Sequence, residues 1–129
     1  MATQGRPLEL ILARNFLASL STPAFLVDRP GRLVFYNDAA GELLGRPFEA
    51  AGELEATDWM AQYGPFREDG RPYALEDVPI TQALRHAQAS HGAYTIRTAT
   101  GPAPIEATAF PVVGVGGFAG AVVMFWTAS

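Results

Sequence analysis

Apolar positions between Leu8 and Leu20 repeat at helical spacing. At about 100 degrees per residue, Leu8, Ile11, Leu12 and Phe16 fall on one stripe while Leu10 and Leu17 lie nearly opposite. A helix that is apolar on two sides needs two surfaces to pack on, either both within its own core or one of them in a second subunit. Ser21, Thr22 and Pro23 stop it. The period then falls to two. Ala24 to Asp28 predicts a short strand, Arg29-Pro30-Gly31 a turn, and Arg32 to Tyr36 a second strand rich in β-formers. Asn37 follows at once and is placed to cap a helix, its side-chain oxygen accepting from the free amides of the first turn. Asp38 suits the positive end of that helix and Gly45 its left-handed stop, so a helix of about two turns is expected between them.

From Arg46 to Tyr73 the periodicity weakens. Glu49, Glu53, Glu55 and Asp58 make a solvated acidic face, and Trp59, Met60, Tyr63 and Phe66 supply bulky apolar groups between short helical turns. Asp69-Gly70-Arg71-Pro72 is a turn. A helix is expected from Val78 to Ser90, capped by Asp77, with Pro79 in its first turn and Ile80, Ala83, Leu84 and Ala87 on one face. Three strands close the chain, Ala93 to Ala99, Pro104 to Val113 and Phe118 to Thr127, separated by glycine-rich turns. In the last, both alternating sets are apolar: Phe118, Val122, Met124 and Trp126 on one side, Ala119, Ala121, Val123 and Phe125 on the other. Such a strand is covered on both faces. The central helices cover one; the other requires the first helix, a second subunit, or both.

The order is helix, two strands, short helices, three strands. With it comes the run from Pro23 to Gly45, in which a strand, a glycine turn and a second strand end at Asn37 before Ala39-Ala40 and Leu43-Leu44-Gly45. Asp69-Gly70-Arg71-Pro72, Glu76-Asp77, Pro79 and Ala83-Leu84-Arg85 form a second pattern, and Gly117 to Phe125 a third. In these features the chain resembles a PAS domain of the bacterial sensor-kinase type. The resemblance implies an α+β fold, a five-stranded antiparallel sheet with helices on one face, with residues 1–22 as an amphipathic flanking helix and residues 23–129 as the domain proper. It also implies a cavity between sheet and helices, lined by Trp59, Tyr63, Phe66, Leu84, Tyr94, Ile96, Phe110 and Phe125, suited to a small apolar ligand. A filled aromatic core is the equal alternative. Family members commonly follow the last strand with Asp, an aliphatic residue and Thr or Ser; here Phe125-Trp126-Thr127-Ala128-Ser129 stands instead.

Composition narrows the function. The 129 residues are 49% hydrophobic and 17% charged, with net charge -4, which suits one soluble domain with a single core. All nine cationic side chains are scattered arginines, so no basic stripe for nucleic acid exists. Without lysine there is no Walker phosphate clamp and no Schiff-base chemistry; without cysteine there are no disulfides, thiolate nucleophiles, iron-sulfur ligation or flavin-cysteinyl photochemistry. The apolar start is broken by Glu9 and Arg14 and lacks a signal-peptide cleavage site. Ala107 to Ser129 is uncharged, yet Pro111, Gly114, Gly116, Gly117 and Gly120 punctuate it as strands and turn rather than a membrane helix. A cytoplasmic location is expected.

No enzymatic constellation assembles from the sequence. Ser90 and His91 are neighbours without a nucleophile elbow, and Glu106 on an apolar strand lacks a convergent second group. The two histidines, five apart, share no helix face and so make no metal site. Since some PAS domains hold haem through a histidine on the long helix, His86 is the haem candidate, although it falls on the flank of the apolar face. The sequence therefore reads as a non-catalytic sensory module, regulating an attached or partner output domain such as a histidine kinase. Its expected homodimer interface comprises Leu8, Ile11, Leu12, Phe16, Leu17 and Trp126. The alternative is a sensor whose main role is to hold haem or a small metabolite.

Overall fold

The computed structural model describes residues 8–74 and 77–128, without the side chains of residues 79, 82 and 84. Five helices, α1 (Leu8–Ala18), α2 (Asp38–Leu44), α3 (Phe48–Ala51), α4 (Ala56–Tyr63) and α5 (Pro79–His86), accompany five strands, β1 (Ala24–Asp28), β2 (Leu33–Tyr36), β3 (Ser90–Thr98), β4 (Gly101–Gly114) and β5 (Gly117–Thr127). The strands form one antiparallel sheet in the order β2-β1-β5-β4-β3. This is the α+β architecture expected from the sequence. Two apolar clusters lie on its two faces. The larger joins Phe25, Val27, Tyr36, Ile105, Ala107 and Phe125 of the sheet to Leu44, Trp59, Tyr63, Val78, Ile80 and Ala83 of the helical layer. The smaller joins Leu26, Phe35 and Val122 on the outer face to Leu10 and Leu17 of α1.

The two-sided reading of α1 corresponds to its two environments. Leu10 and Leu17 are buried against the chain's own sheet, while Leu8, Ile11, Leu12 and Phe16 are 45 to 63% exposed. Burying two leucines contributes about 1.5–3 kcal/mol each toward holding the helix on its own sheet. Leu17 therefore belongs to the protomer core, which corrects its assignment to a subunit interface. The alternation expected for β5 also breaks near its start. Val112 pairs with Gly120 but Val113 with Phe118, so Ala119 is the extra residue of a bulge and packs with the outer cluster. At Gly120 a side chain would collide with the Val27 carbonyl, and only glycine admits the close approach of β1 to β5.

The helix expected to continue to Ser90 stops at His86. Ala87 adopts left-handed geometry (φ 55°) and its N–H returns to the Ala83 carbonyl, after which Ser90 pairs with Ala109 as the first rung of β3. No glycine marks this stop, so nothing local announces it. Asp77 is not the cap of α5 either: Val78 holds that position without a side-chain bond. Glu76, part of the second motif, lies outside the described residues.

Asn37 ties these pieces together. It is the one buried polar residue among those described. Its Oδ1 accepts from the amides of Ala24 (3.1 Å) and Ala40 (3.0 Å), and its Nδ2 donates to the carbonyls of Leu17 (3.0 Å) and Thr22 (2.8 Å). Asn37→Ala is expected to destabilise the fold by about 3 kcal/mol, since it strands four backbone groups in a dry interior. Asn37→Asp keeps both acceptor bonds but sets a carboxylate against two carbonyls. Hydrogen exchange is expected to show α1 opening in that variant before the sheet does; uniform exchange across both would contradict this account.

Candidate functional site

Where the helical layer meets the sheet, the packing leaves a cavity of about 60 Å³. Its walls are apolar side chains of Phe25, Val123, Phe125, Ile105 and Ala107 from the sheet, Tyr94 and Ile96 from β3, and Leu44, Trp59, Tyr63, Val78 and Ile80 from the helices. An apolar void of about 150 Å³ holds benzene, and ordinary ligand pockets run to about 300–1,000 Å³. This cavity therefore takes a guest of only a few heavy atoms. Aromatic packing explains its size: Phe25 sits at the centre of a ring system, with its centroid 5.1 Å from Phe125, 5.6 Å from Tyr36, 6.2 Å from Tyr63 and 6.3 Å from Trp59. Trp59 is fixed by its indole N–H, which donates to the Gly31 carbonyl at 3.0 Å and pins α4 to the β1–β2 turn.

Two phenols in this layer are perturbed. Burial holds Tyr36 well above its ordinary phenol value, and its hydroxyl donates to the Arg46 carbonyl at 2.5 Å. Tyr63 adds to that shift, although its own buried hydroxyl meets no partner at hydrogen-bonding geometry. Tyr94 is raised by burial and then by Tyr73, whose ring packs edge-on at 5.4 Å.

Of the residues expected to line the cavity, Trp59, Tyr63, Tyr94, Ile96 and Phe125 do so. Phe66 does not: its backbone pairs with Thr95 at the sheet edge, and its ring lies under the Arg97 guanidinium at 4.9 Å in a separate polar groove. Phe110 is also elsewhere, because its position in β4 turns it to the outer face, against the α1 cluster. The side chain of Leu84 lies outside the described residues. Phe25 and Ile105 were missed, although strand alternation puts them on the same face as Val27 and Ala107.

His86 ends α5 as an exposed residue and is absent from the cavity wall. No histidine stands in the lining, and a void of about 60 Å³ is too small as it stands for haem or for a flavin. Among the described residues no group of three or more His, Asp or Glu side chains gathers to hold a metal ion, and no helix is long and apolar enough to cross a membrane.

The outer face holds a second cluster that sequence adjacency did not reveal. Antiparallel pairing of β3 with β4 brings His91 opposite Thr108, with Nδ1 2.7 Å from the Thr108 hydroxyl and Nε2 3.2 Å from a Glu106 carboxylate oxygen. Glu106 pairs in turn with Trp126, whose ring lies 6.0 Å from the imidazole. The convergent partner that Glu106 lacked in the sequence is thus His91, supplied across the hairpin. All four side chains remain partly or largely open to solvent.

No protein-family model and no curated protein matches the sequence. Solved structures do. The PAS domain of nitrogen regulation protein NR(II) from Vibrio parahaemolyticus superimposes with a TM-score of 0.64 at 17% identity, over 91% of this chain and 98% of that one. The PAS domain of Bordetella pertussis BvgS gives 0.63 at 13% identity, over 94% and 86%. An RNA-binding light-oxygen-voltage receptor gives 0.66 at 18% identity, over 98% of this chain but 36% of that one. The chain folds as a PAS domain.

Tyr63→Phe removes a hydroxyl that has no bond to lose, so the variant is expected to melt at the same temperature as the parent or a few degrees higher. A melting point several degrees lower would mean that the hydroxyl has a partner in solution.

Proposed function

We propose that this chain is a non-catalytic sensory module that works as a homodimer and passes a packing change in its sheet, through α1, to an attached or partner output domain such as a histidine kinase. The observation that carries this is the outward face of α1. Leu8, Ile11, Leu12 and Phe16 stand in solvent on a helix whose other face is already satisfied, an apolar stripe of the kind that marks an association surface. Trp126, 39% exposed, stands on the same side of the sheet. A two-fold arrangement in which each stripe meets the other copy covers both. The likeness of fold to a PAS domain from a two-component sensor histidine kinase supports the signalling reading by analogy of fold.

The cavity supports a modest ligand role. A small apolar guest between Phe25, Phe125 and Tyr63 would favour one packing of the helical layer over another, and that differential affinity is the whole of its leverage on α1. The expected homodimer is checked by size-exclusion chromatography with light scattering. The parent chain is expected at twice the protomer mass, and Leu12→Glu with Phe16→Glu at the protomer mass with an unchanged circular dichroism spectrum. A parent that stays at one protomer's mass at every concentration removes the dimer. Native mass spectrometry is expected to find at most a guest of a few heavy atoms and no haem or flavin.

A further inference from the structure

The β3–β4 hairpin sets Thr108, His91 and Glu106 in a row on the outer face of the sheet. Their chemistry fixes the hydrogens. A carboxylate only accepts, so the 3.2 Å contact with Glu106 needs a hydrogen on His91 Nε2. A neutral ring then keeps its lone pair on Nδ1, where the Thr108 hydroxyl donates at 2.7 Å. A hydroxyl is thus bonded to a base whose ring is held by a third group, the arrangement that turns an alcohol into a nucleophile.

The surroundings decide which acyl donors such a nucleophile can attack. β4 and β5 carry no cation, and the one arginine of β3, Arg97, is turned to the Ala61 and Gln62 carbonyls and stacks on Phe66. Arg67, Glu68 and Asp69 line the groove beyond Thr95, with Arg67 directed to Asp77 and the Tyr73 ring and Asp69 held by Arg71. No cation therefore supports the oxyanion that forms when a hydroxyl adds to a carbonyl, and loss of one oxyanion donor costs about 10²–10³ in rate. Amides and alkyl esters are out of reach. A donor with a good leaving group is not. Met124, opposite Thr108, and Trp126, 6.0 Å from the imidazole, offer an apolar flank to a short acyl chain.

We propose that Thr108 is a covalent acyl-acceptor site for short activated acyl donors, acyl phosphates or aryl esters, with His91 as general base and Glu106 as the residue that positions it. Thr108 Oγ1 attacks the acyl carbon while its proton passes to His91 Nδ1. The bond from that carbon to the leaving oxygen breaks, phosphate or phenolate departs with the electron pair, and the imidazolium returns the proton to solvent. Release by water must expel the threonine alkoxide, a far poorer leaving group, without oxyanion support. Capture is therefore stoichiometric rather than a turnover, and it stands apart from the sensory reading.

Peptide mass mapping after treatment with p-nitrophenyl acetate or acetyl phosphate tests this, in a chain with no lysine to compete for the acetyl group. Labelling is followed in the full chain and in Leu12→Glu with Phe16→Glu, because a second copy over Trp126 would cover the corner. Acetyl is expected on Thr108 in at least one of the two, and to form about 100-fold more slowly in His91→Gln. Thr108→Ser is expected to keep the label at that position, and His86→Gln to match the parent. In the isosteric Glu106→Gln an amide N–H can turn to Nε2 and move the ring hydrogen to Nδ1, which removes the base. Labelling is then expected to slow at least about tenfold at an unchanged melting temperature. Three results overturn the proposal: no label on Thr108 in either chain, a label that forms as fast in His91→Gln, or nitrophenol released at the parent's rate by Thr108→Val.

Discussion

Four hydrogen bonds on one buried amide determine where the first helix lies. Asn37 closes a loop of chain in which the end of α1, the start of β1 and the start of α2 meet at a single side chain. A buried amide of this kind is stable only when every donor and acceptor is met, so the three backbone segments are held in one relative position or the site fails as a whole. From that position α1 runs over the outer face along β1 and β5, with Leu10 near Gly120 and Leu17 near Asn37. Its inner face is thereby used up, and its other apolar stripe is turned to solvent.

The sheet's two faces consequently do different work. The inner face is filled by interlocked aromatic rings, which leave little space and almost no polar surface. Any ligand reading must accept that limit, since a guest large enough to carry its own chemistry would have to rebuild the core. The outer face is only partly closed, with α1 on the β2–β1–β5 side and an open corner over β3 and β4. The exposed stripe of α1 and the cluster of His91, Glu106 and Thr108 thus lie on the same side of the sheet, while the cavity lies on the other.

Much of the fold was legible because its signals are local. β1 came out at its predicted bounds, and α2 with its Asn37 cap and Gly45 stop followed from the preferences of single residues for helix ends. The two stripes of α1 followed from periodicity alone; which of them the sheet buries did not, and Leu17 was assigned to the wrong side of that division. What misled was whatever depended on neighbours far along the chain. Ala87 ends α5 where no glycine stands, Ala119 bulges because of pairing with Val112 and Val113, and Phe110 faces α1 because of the sheet's facing rather than its own character.

By itself, the order of the residues determined the elements, the family of fold they resemble, the absence of cysteine and lysine chemistry, and the surplus of apolar surface on the first helix. These depend on spacing and side-chain type, which a linear chain displays. The tertiary structure alone decided which aromatics face a common void and how little of that void remains. It alone brought His91 to Glu106 and Thr108, fifteen and seventeen residues away. Those outcomes depend on strand register and on the fit of side chains from separate elements. A shift of one residue in either partner would have sent each of these groups to the other face.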